Sequence, residues 1–144
     1  MTAEDDIAKG VQYLEQGDMK KAATHFTSAT RAEPENYNAW LYLGISNNEL
    51  EKYEEALQAF TRCTEINPEL PFAWSNLGIV YQRMHDNAEA IRHFVKALKL
   101  DPYDLNNRLN LGLAYLQMRN KELEAMGQFE YNLDHDKRSF PEAW

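Results

Sequence analysis

Among the residues that commonly support acid–base or nucleophilic catalysis, this 144-residue chain has four histidines and a single cysteine. His25 and His93 occupy equivalent positions of a repeated pattern, so they are better interpreted as packing residues than as a catalytic pair. No His-Glu-x-x-His motif, phosphate-binding loop or nucleophile elbow occurs. Because Cys63 is the only cysteine, an intrachain disulfide and a cysteine-cluster metal site are excluded. We therefore predict no enzymatic activity, no catalytic residues, no cofactor and no metal site.

The polar residues that favour binding chemistry are two asparagines, Asn76 and Asn110, which are 34 residues apart. An asparagine amide offers both a donor and an acceptor to the backbone of an extended peptide. The alternative is that both side chains are merely solvated. Their recurrence at one spacing favours the binding interpretation.

The same 34-residue spacing runs through most of the chain and involves several residue types. It relates Gly10, Gly44, Gly78 and Gly112; Pro34, Pro68 and Pro102; Ala22, Ala56 and Ala90; and Phe26, Phe60 and Phe94. A repeat of this length indicates one small unit that is copied and stacked, with each copy burying its apolar face against its neighbours.

The third unit carries the most complete pattern: Trp74, Leu77, Gly78, Tyr81, Ala90, Phe94, Ala97 and Pro102. This pattern resembles the tetratricopeptide repeat, and the resemblance covers about residues 3 to 136. It implies an all-α fold, an α-solenoid of about four helix–turn–helix hairpins that form a right-handed superhelix. Such a family member is expected to be a protein–protein interaction module.

The spacing divides the chain into repeats at 3–36, 37–70, 71–104 and 105–138, followed by 139–144. In the third repeat we predict helices over 72–84 and 87–100, joined by a turn at His85 and Asp86. Pro102 then stops the second helix, because proline lacks an N–H and has a fixed φ.

The fourth repeat departs from the pattern. Arg108 replaces the tryptophan, Glu124 occupies the small position, and Ala125 and Phe129 arrive one residue late. We expect a hairpin whose second helix starts late or shifts register and packs less regularly.

The last residues, 141–144, resemble residues 71–74, which open the third repeat. They are read either as the first landmark of a fifth repeat in a longer protein or as a tail. In the second case Phe140 and Trp144 would fold back on the last helix.

Charge and composition exclude several classes of partner. The net charge is -8, and residues 1–70 carry 13 acids and 6 bases against 10 and 9 in residues 71–144. An acidic first half would repel a phosphate backbone, so nucleic acid is not expected as a partner. The acidic start of the chain is unlike a secretory signal, and the apolar runs are too short to span a membrane. We expect a cytoplasmic protein.

The resemblance implies that the first helix of each repeat lines a concave groove. Carried over by position, the candidate peptide-binding residues are Ile7, Val11, Leu41, Tyr42, Ile45, Phe72, Asn76, Ile79, Arg83, Asn106, Asn110 and Leu113. The aliphatic content favours an apolar peptide or an amphipathic helix. Glu4, Glu15 and Glu49 would favour a basic residue in the partner near the N-terminal end.

Some tetratricopeptide proteins bind the C-terminal carboxylate of heat-shock chaperones through a clamp of basic and amide residues. The corresponding positions here are Ile7, Val11, Tyr42, Phe72 and Asn76, which offer no cation. We therefore do not expect that partner.

A second interpretation is a self-assembling structural element. Terminal repeats without capping helices expose apolar faces, and such faces commonly become interfaces. Copies of the chain would then stack end to end as a homo-oligomer.

Overall fold

The computed structural model describes the backbone of residues 1–135 and the side chains of residues 1–123, 126 and 127. All regular secondary structure in this part of the chain is α-helical. The helices are α1 (Ala3–Glu15), α2 (Met19–Ala32), α3 (Tyr37–Glu49), α4 (Tyr53–Ile66), α5 (Pro71–Arg83), α6 (Asn87–Leu100) and α7 (Leu105–His135). The first six form three consecutive hairpins, each packed on the next, so the predicted all-α repeat solenoid is confirmed.

Each hairpin turns at a residue with positive φ, followed by the start of the second helix. These residues are Gly17 (φ 79°), Glu51 (φ 61°) and His85 (φ 63°). Asp18 and Asp86 then act as N-caps, because their carboxylates accept hydrogen bonds from the backbone N–H groups of Lys21 and Glu89. The predicted turn at His85 and Asp86 is therefore present.

The carbonyl of each of these prolines accepts a hydrogen bond from a side chain of the helix that follows it. The indole N–H of Trp40 donates to the carbonyl of Pro34 at 2.8 Å, and that of Trp74 donates to the carbonyl of Pro68 at 2.9 Å. Arg108, which replaces the tryptophan, donates to the carbonyl of Pro102 at 2.7 Å. The guanidinium thus preserves the hydrogen bond although the aromatic ring is lost.

Within each of the three hairpins, a glycine of the first helix lies under a phenylalanine ring of the second. A Cβ placed on Gly78 would stand 2.5 Å from Cε1 of Phe94, and the equivalent glycines face Phe26 and Phe60 in the same way. These rings are completely buried. Only glycine permits this approach, which sets the distance between the two helices.

The fourth repeat does not form the hairpin expected from the sequence. The helix that begins at Leu105 continues without a turn to His135, and no described atom lies within 4 Å of a Cβ placed on Gly112. The sequence difference that accounts for this is the position of Phe129, which lies one residue out of step with Gly112. Arg119 at the turn position is not the reason, because the non-glycine residues Glu51 and His85 form the same turn in the second and third hairpins. Without the glycine–phenylalanine contact, the cost of a left-handed turn residue is not offset.

The side chains of Glu124, Ala125 and Phe129 lie outside the described set, and so do residues 136–144. The two interpretations of Phe140 and Trp144 therefore concern residues that the structure does not describe. Among the described residues, none of the helices combines the length and the apolar character needed to cross a membrane.

The glycine–phenylalanine contact predicts opposite effects of one substitution at equivalent positions. Gly78→Ala should lower the free energy of unfolding by about 1–3 kcal/mol, because its methyl group would clash with the Phe94 ring. Gly112→Ala should raise it by about 0.5–1 kcal/mol, since the position is open and alanine favours helix. Urea unfolding of dilute samples, followed by circular dichroism, measures the free energy of unfolding of both variants. If the two substitutions change it equally, the glycine–phenylalanine contact does not distinguish the two positions.

Candidate protein-binding surface

The first helices of successive repeats lie side by side. Helix α1 contacts α3, α3 contacts α5, and α5 contacts α7. These four helices carry all twelve candidate binding residues. The structure divides the candidates into two groups by accessibility.

The apolar candidates of the first half are largely engaged in packing. Ile7, Val11 and Tyr42 are half-buried against the cluster that contains Phe26 and Leu43. The rings of Tyr42 and Phe26 stack with centroids 5.2 Å apart and an interplanar angle of 15°. These three side chains therefore stabilise the junction of the first two hairpins and offer a partner only part of their surface.

Leu41, Ile45 and Ile79 are half-buried in the same manner. Leu41 and Ile45 pack on the cluster around Phe60 and Leu77, and Ile79 packs against Phe94 and its neighbours. Each joins one repeat to the next. The aliphatic side chains that the sequence suggested as a binding stripe therefore mainly pack at the junctions between hairpins.

The more accessible candidates lie on α5 and α7. Phe72 is 57 % exposed, Asn106 and Leu113 are also exposed, and Asn76 and Asn110 are half-buried. The amide nitrogen of Asn76 donates to the carbonyl of Phe72 at 2.8 Å. This bond uses one of the two amide hydrogens, and it orients the side chain while its carbonyl oxygen keeps its capacity to accept.

Arg83 does not point freely into a groove. Its guanidinium donates to the carbonyl of Asn48 at 3.1 Å and lies 3.4 Å from the carboxylate of Glu49. The cation therefore binds the C-terminal end of α3, where the helix dipole favours positive charge. Glu49, which was expected to attract a basic partner residue, already has this neighbour.

One polar residue that the sequence interpretation missed is Asn107, which is only 2 % exposed. Its amide nitrogen donates to Oγ of Ser75 at 2.6 Å and to the carboxylate of Asp104 at 3.1 Å, so it joins α7 to α5. The repeat spacing could have indicated this role, because the equivalent positions 34 and 68 residues earlier are Ala73 and Ala39, both buried. An asparagine at a position of buried alanines indicates a specific hydrogen bond.

The two equivalent histidines fill equivalent packing slots. The ring of His25 stacks on Tyr13 with centroids 5.5 Å apart, and the ring of His93 lies 5.1 Å from Tyr81. Nδ1 of His25 is 3.0 Å from the carboxylate of Asp6, whereas Nδ1 of His93 is 2.8 Å from the carbonyl of Glu89. Within the described part of the chain, no group of three His, Cys, Asp or Glu residues could hold a metal ion.

Cys63 is completely buried, and its thiol donates to the carbonyl of Tyr37 at 3.5 Å. It stands where Ala29 and Ala97 stand in the flanking repeats, and both of those are also fully buried. Burial raises the pKa of the Cys63 thiol to about 12, because the thiolate would be desolvated. The side chain therefore behaves as a core residue and not as a nucleophile.

The chain belongs to the tetratricopeptide repeat family, whose profiles match residues 7–71 and residues 71–104. No curated protein sequence matches it. The family assignment agrees with the hairpins, the glycine–phenylalanine contacts and the proline positions described above. The fold is that of a protein–protein interaction module, and the family is a non-catalytic one.

Several solved structures share this fold at low sequence identity. The first TPR of Spaghetti (RPAP3) bound to the HSP90 peptide SRMEEVD is 20% identical, with a TM-score of 0.79 over 82% of this chain and 94% of that chain. MamA is 23% identical, with a TM-score of 0.78 over 94% and 78%. The Arabidopsis OM64 TPR domain is 20% identical, with a TM-score of 0.78 over 81% and 96%.

The environment of Cys63 predicts its reactivity. In the folded protein at pH 8 the thiol should react with a maleimide or disulfide reagent at least about 100-fold more slowly than a free cysteine, because it is buried and protonated. In denaturant the rate should become that of an ordinary thiol. A rate in the native protein equal to that in denaturant would show that Cys63 is accessible.

Proposed function

We propose that this protein binds an extended peptide segment of another protein across the surface formed by α5 and the first part of α7. The observation that carries the proposal is the recurrence of Asn76 and Asn110 at one position of neighbouring helices, both partly accessible. Exposed Phe72 and Leu113 flank them.

The spacing of these groups suits an extended peptide. Packed helices lie about 8–10 Å apart, and a β-strand rises about 3.3 Å per residue. Successive asparagines would therefore meet backbone amides about three residues apart. Between them, side chains of the peptide would reach Phe72 and Leu113, which offer apolar contact. We infer a partner with an apolar residue in this interval.

Charge gives the peptide a preferred direction. Arg83 is paired with Glu49, so these two opposite charges largely cancel in the middle of the surface. Glu4 and Glu15 are exposed on α1, within the acidic first half of the chain. A basic residue at the end of the peptide that approaches α1 would be favoured.

Binding of the chaperone C-terminal carboxylate is not part of this proposal, although one structural neighbour carries an HSP90 peptide. Of the positions that correspond to the clamp, Ile7, Val11 and Tyr42 are half-buried in the core. The other two are Phe72 and Asn76. None supplies a cation to compensate a desolvated carboxylate.

Self-assembly through exposed repeat ends is a second candidate. The specific observation in its favour is the apolar face of α7, which no described residue covers. End-to-end stacking would also need a complementary apolar face at the other end. Within residues 1–36, all of which are described, the exposed large apolar side chain is Met1 alone.

A random-peptide library selected against the wild-type protein provides a probe for the peptide surface. Asn76→Ala combined with Asn110→Ala should weaken binding of the selected peptides on the order of tenfold or more, since each lost hydrogen bond contributes about 1 kcal/mol. Gln58→Ala, on the exposed face of α4, is the matched control and should leave affinity unchanged. Fluorescence anisotropy measures the dissociation constants. If the double variant binds as tightly as the wild type, the surface has been assigned wrongly.

A further inference from the structure

Helix α7 presents an apolar stripe that the described part of the chain leaves uncovered. Among the side chains that the structure describes, ten large apolar ones are exposed, and seven of them lie on this one helix. They are Leu105, Leu109, Leu113, Tyr115, Leu116, Leu123 and Met126. Patches of this kind on a protein surface mark interaction sites.

The spacing within the stripe is that of a helix pair. Leu109, Leu116 and Leu123 are seven residues apart, and a second series of the same period contains Leu105, Gly112, Arg119 and Met126. Two interleaved seven-residue series form the seam by which one helix packs against another. The buried face of α7, with Asn107 and Ala114, points the other way toward α5 and α6, so no described residue of the chain covers the seam.

We propose that the partner is a second copy of this chain, and that two α7 helices pair antiparallel about a two-fold axis near Ala114. In this register Leu105 faces Leu123 of the second copy, Leu109 faces Arg119, and Gly112 faces Leu116. No described atom of the single chain lies over Gly112, whereas its equivalents each lie under a phenylalanine. A leucine from the second copy would fill that opening.

Charge complementarity selects the antiparallel arrangement. Along the edge of the seam, Arg108 of one copy lies opposite Glu122 of the other, where the N–H groups that do not bind the carbonyl of Pro102 can pair with the carboxylate, and the two-fold axis makes this pair twice. In a parallel pair, Arg119 would instead face Arg119 of the second copy, which is unfavourable for like charges. Arg119 in the antiparallel register lies beside Leu109, where its aliphatic stem can pack while its charged head reaches water.

Symmetry also favours this pairing over stacking from end to end. An isologous dimer needs one self-complementary patch on each copy, whereas stacking needs two different faces that fit each other. The chain has the first, on α7. The inference does not depend on the peptide surface, because the seam and the Asn106–Asn110 face of α7 are offset by about a quarter turn of the helix.

The test is the molar mass of the 144-residue protein, measured by light scattering and sedimentation equilibrium over a concentration series. We expect a dimer that dissociates on dilution. Leu116→Glu should raise the dissociation constant on the order of tenfold or more, because it places a carboxylate in the seam. Gln117→Glu adds the same charge at the next exposed position, which points away from the seam, and should leave the dissociation constant nearly unchanged.

The register is tested by charge reversal. Arg108→Glu and Glu122→Arg should each weaken the dimer, and the double variant should restore it. A protein that stays monomeric at all concentrations overturns the proposal, as does a dimer that Leu116→Glu leaves intact. A dimer weakened by Leu116→Glu but not restored by the double reversal overturns the antiparallel register. Each variant is first checked for wild-type helicity by circular dichroism.

Discussion

The contact between a glycine of the first helix and a phenylalanine of the second is the interaction on which each hairpin depends. With Gly78 under Phe94, the two helices approach so closely that a single added methyl group would clash. This approach buries the ring completely and offsets the cost of the left-handed residue in the turn. At Gly112 the contact is missing, and the chain there continues as one helix through Arg119 and Asn120.

Packing between repeats also decides which first-helix residues remain available to a partner. Tyr42 and Ile45 are drawn into the junctions between hairpins, where they stack on Phe26 or pack near Phe60. On α5 and α7 the same surface carries amides instead. An amide gains little from packing against an apolar core, and these are the positions that we propose for contact with another chain.

The regular part of the fold could be predicted from the sequence because each repeat uses the same residues for the same contacts. The continuous α7 could not, since a one-residue offset of Phe129 predicts an irregular hairpin as readily as the loss of the turn. The role of Arg108 was equally hidden, because only the structure shows a guanidinium in place of an indole as donor to proline. For the proposed binding surface, the family resemblance indicated the first helices but not the depth of Ile7 or Val11, which depends on the neighbouring hairpin.

Two faces of α7 are open to a partner among the described residues, and loss of the last turn accounts for one of them. Along one face, the missing second helix leaves Leu109 and Leu116 exposed, 62 % and 53 % respectively. On the face about a quarter turn away, Asn106 and Asn110 continue the surface that begins on α5. Only Leu113 lies at the border of both. A dimer formed through the first face would therefore place the helix of the second copy where the second helix of a regular fourth hairpin would pack, over Gly112.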